Sequence, residues 1–248
     1  MMSLAVMICP AGAFASAQQQ DHFRFAFIAD THIALGSSSV ADLSACIRDI
    51  NAYDSLDFVI FGGDVTNFGS DDEIRLAKSM TDSICRPVYV VQGNHDANWS
   101  ESGCGTFKDV FGYEHFLFRA GGWRVIGCNS GPDMRMAPGL VPRETMEWLS
   151  EQESGEKTIF INHYPMDSSV LNYFDVTREL KRLDTRMVIG GHLHADRTKN
   201  YQGIPAVVCR SVLSAGRAPG YTVVKIDGDR ISFSERRLYG QTAVELEP

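Results

Sequence analysis

Side chains that can bind metal ions recur in five short stretches of the 248-residue chain. In each stretch, an apolar run is followed by a small or polar residue and then by aspartate, asparagine or histidine. The stretches are Asp30-x-His32, Gly63-Asp64, Gly93-Asn94-His95-Asp96, Asn162-His163 and Gly191-His192-x-His194. One such histidine is more often an ordinary polar residue than a ligand, but five of the seven histidines fall in these stretches. The recurrence therefore favours one shared metal site.

The donor atoms in these stretches belong to carboxylates, imidazoles and amides, with no thiolate among them. That set suits manganese, iron or zinc ions better than a structural zinc held by cysteines. About seven ligands are too many for one ion, so the stretches predict two metal ions that share a bridging carboxylate. Paired ions ~3.5–4 Å apart can hold the attacking and leaving oxygens of an in-line displacement.

Strands and helices that alternate in the first part of the chain must position these side chains. Apolar, β-branched runs predict the strands, and apolar residues at helical spacing predict the helices between them. The order β-α-β-α-β predicts a parallel sheet with right-handed crossovers, in which ligands collect beyond the carboxyl ends of the strands. The predicted strands are Phe23–Ala29, Asp57–Phe61 and Pro87–Val91, and the predicted helices are Val40–Ile50, capped by Ser37 to Ser39, and Asp71–Ser83.

The rest of the chain is less regular. Gly121-Gly122 and Asp227-Gly228 predict hairpin turns, and Pro142 stands where a helix would begin. Loops at residues 97–105 and 129–142 are the expected specificity elements, because rigid scaffolds place selectivity in loops. Further strands are predicted over His115–Arg119, Trp123–Cys128, Thr158–Ile161, Arg186–Ile189, Ala206–Cys209, Tyr221–Ile226 and Arg230–Phe233, further helices over Glu144–Gln152 and Val176–Leu183, and no strong element over Gly240–Pro248.

The ordered series of stretches resembles the calcineurin-like metallophosphoesterase superfamily, from about Phe23 to Phe233. The resemblance implies an α/β fold, a four-layer α-β-β-α sandwich of two mixed β-sheets flanked by helices. It also implies a phosphoesterase that hydrolyses phosphomonoester or phosphodiester bonds by in-line attack of a metal-bridging hydroxide. By position, the implied ligands are Asp30, His32 and His194 for the first metal and Asn94, His163 and His192 for the second, with Asp64 bridging the two.

Three further residues have roles near the reaction in that scheme. His95 holds no metal and would either donate a proton to the leaving oxygen or steady the phosphate as a cation. Asp96 would either orient the metal site or cap the turn. Asn67 stands where the phosphoprotein phosphatases have an aspartate that orients the acid histidine and where purple acid phosphatases have a tyrosine. It argues against a purple acid phosphatase, although its amide oxygen could accept a hydrogen bond from His95.

Substrate contacts are harder to assign from sequence. An arginine can hold a phosphate through two parallel hydrogen bonds, but each candidate is also an ordinary surface residue. Cyclic nucleotides, phosphoproteins, nucleotide sugars and lipid phosphates all remain open as substrates. The candidates in loops or near strand ends are Asn98, Trp99, Arg135, Arg143, Tyr164, Arg210 and Arg217.

The composition of the chain limits the classes of function that it could have. The chain is 44% hydrophobic and 22% charged, which suits one large domain, expected over residues 18–248. Its net charge of −8 argues against binding to nucleic-acid backbones and disfavours a secreted nuclease. A scaffold that kept the fold and lost the chemistry is the alternative to an enzyme, but such relatives lose ligands, whereas all seven positions and His95 are kept here.

The N-terminus predicts export to a bacterial periplasm or the exterior. Leu4 to Phe14 is mostly apolar but too short to span a bilayer, so no transmembrane segment is expected there. Ala15-Ser16-Ala17 predicts a signal peptide over residues 1–17, cut after Ala17. The segment before it has no lysine or arginine, which leaves a disordered or buried tail as the alternative. Six cysteines without a C-x-x-C pair leave any disulfide pairing open.

Overall fold

The computed structural model describes residues 22–97, 100–103, 105–131, 138–213, 218–238 and 244–246. The predicted signal peptide lies outside these residues, as do Asn98, Trp99, Arg135 and Arg217. Within the described part of the chain, no helix is long and apolar enough to cross a membrane.

The first sheet has six strands and begins with the predicted β-α-β-α-β unit. Its strand order is β12-β11-β10-β1-β2-β3, in which β1, β2 and β3 are parallel and β10, β11 and β12 add antiparallel neighbours. Ser37 and Ser70 cap the two crossover helices by accepting hydrogen bonds from the backbone. The elements are β1 (His22–Ile28), α1 (Ser38–Ala52), β2 (Phe58–Gly62), α2 (Asp71–Thr81), β3 (Val88–Val91), β10 (Gly220–Asp227), β11 (Arg230–Arg237) and β12 (Val244–Leu246).

The second sheet also has six strands, in the order β4-β5-β6-β7-β9-β8. Strands β5, β6, β7 and β9 are parallel, and β4 and β8 close the two edges in antiparallel fashion. The elements are α3 (Gly105–Phe111), β4 (His115–Ala120), β5 (Trp123–Cys128), α4 (Arg143–Glu151), β6 (Thr158–Ile161), α5 (Tyr173–Arg182), β7 (Thr185–Gly190), β8 (Arg197–Tyr201) and β9 (Ile204–Val208).

The two sheets pack face to face with helices outside, which confirms the predicted four-layer fold. Side chains of β1 take part in two different cores, because alternate residues point to opposite faces of a strand. Phe25 and Phe27 enter the core between the sheets, where they meet residues such as Ile159 of the second sheet. Ala26 and Ile28 face α1 and α2 instead, in a second core. A third core lies between the second sheet and α4 and α5.

Three elements were not predicted from the sequence. Helix α3 begins at Gly105, where the predicted loop ends. Strand β8 is polar, and only its last residue, Tyr201, is buried, because it forms an exposed edge of the second sheet. Strand β12 falls in the terminal segment for which no strong element was expected, and that expectation is wrong for Val244–Leu246.

Candidate metal centre

Backbone strain is concentrated where the predicted ligands lie. Among the described residues, seven that are not glycine have positive φ. Five of them are predicted metal ligands, at φ values between 44° and 74°. This left-handed region is unfavourable for residues with a Cβ, and such strain is retained mainly at functional sites. The five are Asp30, His32, Asp64, His192 and His194.

The structure brings three of the predicted ligands together beyond the carboxyl ends of β1 and β7. We call Asp30, His32 and His194 the first ligand group. The Nε2 atom of His194 lies 3.3 Å from Oδ1 of Asp30 and 3.1 Å from Nε2 of His32. Asp30 also accepts hydrogen bonds from the backbone N–H of His192, which ties the ends of the two strands together across the two sheets.

Three other predicted ligands, Asn94, His163 and His192, form the second ligand group. Their donor atoms converge on the amide oxygen of Asn94. Nε2 of His163 lies 3.2 Å from that Oδ1 atom, and Nδ1 of His192 lies 3.0 Å from it. The residues follow β3, β6 and β7, so strands of both sheets deliver this group as well.

Asp64 lies between the two ligand groups. Its Oδ2 atom is 3.2 Å from Nε2 of His163 in the second group and 3.9 Å from Nε2 of His32 in the first. Its Oδ1 atom accepts a hydrogen bond from the backbone N–H of His95 at 2.8 Å. The carboxylate is 1% exposed, so water does not screen its charge from these neighbours. This is the position that a bridging ligand requires.

Two glycines make room for this arrangement. Gly63 has φ +89°, and a Cβ there would lie 2.7 Å from the His163 ring. A Cβ at Gly93 would overlap Oδ1 of Asp64. Larger residues at either position would displace a ligand, which explains why glycine precedes Asp64 and Asn94 in the sequence.

The donor chemistry fits a metal ion in the second group. Nδ1 of His163 donates to the carbonyl of Gly62 at 2.9 Å. In the neutral ring, Nε2 is then the nitrogen that carries the free lone pair. That atom faces two other acceptors, the oxygens of Asp64 and Asn94, so a positive charge is needed among the three. Burial opposes a proton on His163, but the charge of Asp64 prevails and raises its pKa to about 9. A divalent cation satisfies the same three atoms.

The imidazoles of His32, which is buried, and His192, which is half-buried, are prepared as neutral ligands. Burial lowers the pKa of His32 to about 4, against the opposing charge of Asp64. Burial, followed by the influence of His163, lowers the pKa of His192 to about 4. A neutral imidazole with a free lone pair is the form that binds metal ions. Both residues therefore offer a donor atom without first losing a proton at neutral pH.

His95 is held at the edge of the centre with its ring against that of His32. The ring centroids are 4.4 Å apart in an edge-to-face arrangement. Nδ1 of His95 donates to the backbone carbonyl of Asn67 at 2.6 Å. The sequence suggested the amide side chain of Asn67 for this contact, and the structure places the main chain there instead. A ring nitrogen of His95 also lies within 4.8 Å of ligand atoms of His32 and Asp64, so the side chain faces the metal centre.

Asp96 is fully buried and joins two ligand-bearing loops. It accepts hydrogen bonds from the backbone N–H groups of Val65 and Thr66, from the Thr66 hydroxyl, and from the N–H of Gly93. Burial, and then the nearby charge of Asp64, raises its pKa to about 6. The bond from Gly93 caps the turn, and the bonds from Val65 and Thr66 tie that turn to the loop that carries Asp64, so each of the two roles expected for Asp96 has contacts that fit it.

Several contacts around the centre were not predicted from the sequence. The hydroxyl of Ser130 accepts hydrogen bonds from the backbone N–H groups of His163 and Tyr164. The Tyr164 ring lies against that of His192, with centroids 4.3 Å apart. Arg210, considered for phosphate binding, is instead buried in an ion pair with Glu235. Only the structure shows these contacts, because each joins residues distant in sequence.

Comparison with known proteins gives the site a family context. A model of the family described as calcineurin-like phosphoesterase matches residues 23–196. A protein from Arcobacter nitrofigilis, named "Probable glycerophosphodiester phosphodiesterase GpdQ", is 27% identical over 176 residues, or 67% of this chain and 60% of that protein. The chain thus spans about 60% of that relative's length. A Fibrobacter succinogenes protein named "Probable cyclic nucleotide phosphodiesterase" is 24% identical over 69% of this chain and 72% of its own.

Solved structures share the fold. A dimetal phosphatase from Danio rerio superimposes with a TM-score of 0.66 at 15% identity, covering 90% of this chain and 98% of its own. A purple acid phosphatase from yellow lupin gives a TM-score of 0.62 at 13% identity, covering 92% of this chain and 53% of its own. At such low identity these similarities establish the architecture alone.

Proposed function

The chain belongs to the calcineurin-like phosphoesterase family, and from that premise we propose that it is a phosphoesterase dependent on two metal ions. The proposed substrates are phosphomonoesters or phosphodiesters. One observation carries the proposal, namely that the buried carboxylate of Asp64 faces a ligand group on each side. The names of the two curated relatives favour diesters between the two substrate classes.

The proposed cofactors are two ions of manganese, iron or zinc, one in each ligand group with Asp64 between them. Bound there, such ions supply the Lewis acidity that activates water and neutralises charge on the phosphate. The protein's own part is to present seven donor atoms that the fold already holds close together, so that little reorganisation is needed at the moment of reaction.

His95 is the proposed acid or phosphate clamp. The Asn67 carbonyl accepts from Nδ1, which fixes the tautomer and directs Nε2 as the atom for the substrate. A protonated Nε2 can donate to the leaving oxygen or hold the phosphate by charge. The two roles predict different effects of the leaving group. If His95 donates a proton, its contribution to the rate grows as the leaving group becomes more basic, whereas a phosphate clamp contributes equally for all leaving groups.

Hydrolysis of bis(4-nitrophenyl) phosphate and 4-nitrophenyl phosphate, after reconstitution with Mn²⁺, Fe²⁺, Zn²⁺ or Ni²⁺, tests the proposal. We expect Asp64→Asn and His95→Ala each to lower kcat/KM by at least about 10²-fold. Asp82→Asn, which changes an exposed carboxylate paired with Lys78 on α2, serves as the matched control. Absence of metal-dependent hydrolysis, or full activity of both site variants, would contradict the proposal and favour the scaffold alternative.

A further inference from the structure

Large hydrophobic side chains that face solvent are found in three of the loops that carry metal ligands. Among the described residues, five large hydrophobic side chains are exposed, and three of these follow a predicted ligand by one to four residues, with exposed fractions between 41% and 63%. We call these three residues, Leu35, Phe68 and Leu193, the apolar rim. Single exposed hydrophobic residues need no explanation, but a group of them beside a site marks a place that binds an apolar partner.

The loops that follow β1 and β2 bring Leu35 and Phe68 to the same end of the site. Ile33 and Thr66 form a parallel bridge between these loops. Two backbone hydrogen bonds of 3.0 Å close the bridge on the side of Ile33. Leu35 and Phe68 each stand two residues beyond it, a span of at most about 7 Å in either loop. The two residues therefore lie on neighbouring loops at one edge of the metal centre.

The backbone holds Phe68 next to His95. The carbonyl of the preceding residue, Asn67, accepts a hydrogen bond from Nδ1 of His95. The following residue, Gly69, packs against the main chain of His95 so closely that an added Cβ would lie 2.6 Å from the His95 carbonyl oxygen. Because both neighbours of Phe68 are fixed in this way, its ring is a preorganised apolar surface beside the proposed acid.

Leu193 reaches the same side of the metal centre from β7. Its backbone N–H bonds to the Gly191 carbonyl at 2.9 Å. The next residue, His194, places its Nε2 atom 3.1 Å from Nε2 of His32, and the His32 ring lies against that of His95. All three members of the apolar rim therefore adjoin the part of the centre where the first ligand group meets His95.

The local structure around Leu35 does not account for an apolar residue there. The N–H of Ser37 bonds to the Ala34 carbonyl at 3.1 Å, and Gly36 has φ +76°, so Leu35 stands at the tip of a tight turn. Such tips usually carry polar residues. With 63% of its surface exposed, Leu35 contributes little to the core, which favours a role in binding.

The chain around the apolar rim offers no cationic side chain to a second acidic group of a substrate. Residues 33–41, 65–70 and 190–195 contain neither lysine nor arginine. The segment that follows Phe68 opens α2 with negative charge, which repels an additional anion. An uncharged organic group fits these surroundings best. The acidic residues in that first turn are Asp71, Asp72 and Glu73.

We propose that the apolar rim is a substrate subsite, which binds an uncharged alkyl or aryl group of a soluble phosphate ester. The proposal rests on the phosphoesterase function proposed above. The group is attached to the ester oxygen that faces His95, so it leaves the metal centre past Phe68, Leu35 and Leu193. Contact with these side chains removes apolar surface from water. The preferred substrates are then phosphate esters of apolar alcohols or phenols.

A series of straight-chain esters tests the apolar rim. The probes are n-alkyl phosphates and symmetric di-n-alkyl phosphates from ethyl to hexyl, kept below the concentrations at which they form micelles, with the released alcohol as the readout. These alcohols differ little in basicity, so chain length changes the apolar contact and leaves the chemistry alike. A fully buried methylene is worth about fourfold, and an open rim covers only part of it, so we expect kcat/KM to rise at least about tenfold from ethyl to hexyl.

Phe68→Ala should lower the hexyl-to-ethyl ratio of kcat/KM by at least about threefold, and Leu35→Ala should lower it by a smaller factor. Phe174→Ala is the matched control, because Phe174 is also an exposed phenylalanine but lies on α5, outside the apolar rim. Hydrolysis with a ratio near one in wild type, or with a ratio that Phe68→Ala leaves unchanged, would overturn the subsite and leave the phosphoesterase function intact. A ratio that rises only when the esters form micelles would also overturn it, in favour of a face that binds lipid surfaces.

Binding of n-alkylphosphonates reads the apolar rim without hydrolysis, because these compounds have no ester bond. Manganese-loaded protein is titrated with ethylphosphonate and with hexylphosphonate in a calorimeter. We expect hexylphosphonate to bind at least about tenfold more tightly to wild type, and Phe68→Ala to reduce that advantage. Equal affinities would overturn the subsite alone. If neither phosphonate binds and no ester is hydrolysed, the phosphoesterase function fails and the subsite fails with it.

Discussion

The two ligand groups of the metal centre differ in how firmly the fold holds them. In the second group, His163 is fully buried, its ring is bonded to the Gly62 carbonyl, and its backbone N–H is bonded to Ser130. In the first group, the side chain of His194 is 46% exposed and contacts Asp30 and His32. The second group is therefore the better preorganised, and we expect it to bind its metal ion more tightly.

The largest expected effect is on stability, when one histidine of each ligand group is replaced by alanine. His163→Ala leaves a cavity and strands the buried charge of Asp64, so we expect the free energy of unfolding to fall by about 2–4 kcal/mol. His194→Ala changes a half-exposed side chain, and we expect a loss below about 0.5 kcal/mol. Urea unfolding in the presence of a chelator measures both without metal binding. Equal losses would show that the two groups are held alike.

Asp96→Asn should have an intermediate effect, again on stability. The Asn side chain keeps one acceptor oxygen but replaces the other with an NH₂ group. That group is a donor, and it would face backbone N–H groups that are donors themselves, such as that of Gly93. We expect a loss of about 1–3 kcal/mol in the free energy of unfolding. The neighbouring substitution His95→Ala is the control, because it should lower turnover while changing stability little. A melting temperature of Asp96→Asn equal to that of wild type would remove its positioning role.

The smallest effect is expected for Asn67→Ala. Because His95 bonds to the main-chain carbonyl of residue 67, an alanine there keeps the contact. We expect kcat/KM to change by no more than about twofold, which corresponds to roughly 0.4 kcal/mol. Steady-state kinetics on bis(4-nitrophenyl) phosphate measure it against His95→Ala. A loss as large as that of His95→Ala would show that the amide side chain orients the histidine after all.

Sequence patterns predicted the fold well because its signals are local. The apolar runs of β1 to β3 and the capped helices between them depend on neighbouring residues, and so does the hairpin turn at Asp227-Gly228. Strand β8 was missed because an exposed polar edge strand has no apolar period, and its pairing with β9 is decided by tertiary structure. Strand β12 is likewise specified by its partner β11.

The candidate site also has a part that the sequence could predict and a part that it could not. The types of the ligands could be recognised along the chain, and the structure brings them together in three overlapping groups, one of which contains His95 with His32 and Asp64. The contacts that hold the ligands in place could not be predicted from the sequence. The hydroxyl of Ser130, for example, accepts a hydrogen bond from the backbone N–H of His163 on a different loop. The backbone bond from His95 to Asn67 was also hidden, since a main-chain acceptor leaves no trace in the side-chain type.

Calorimetric titration of the metal-stripped protein with Mn²⁺ tests the central claim of a dinuclear centre most directly. The account predicts two binding events per chain in wild type, the tighter one assigned to the second ligand group. In His194→Ala the weaker event should disappear while the tighter one persists. A single binding event in wild type, or loss of the tighter event in His194→Ala, would contradict the account.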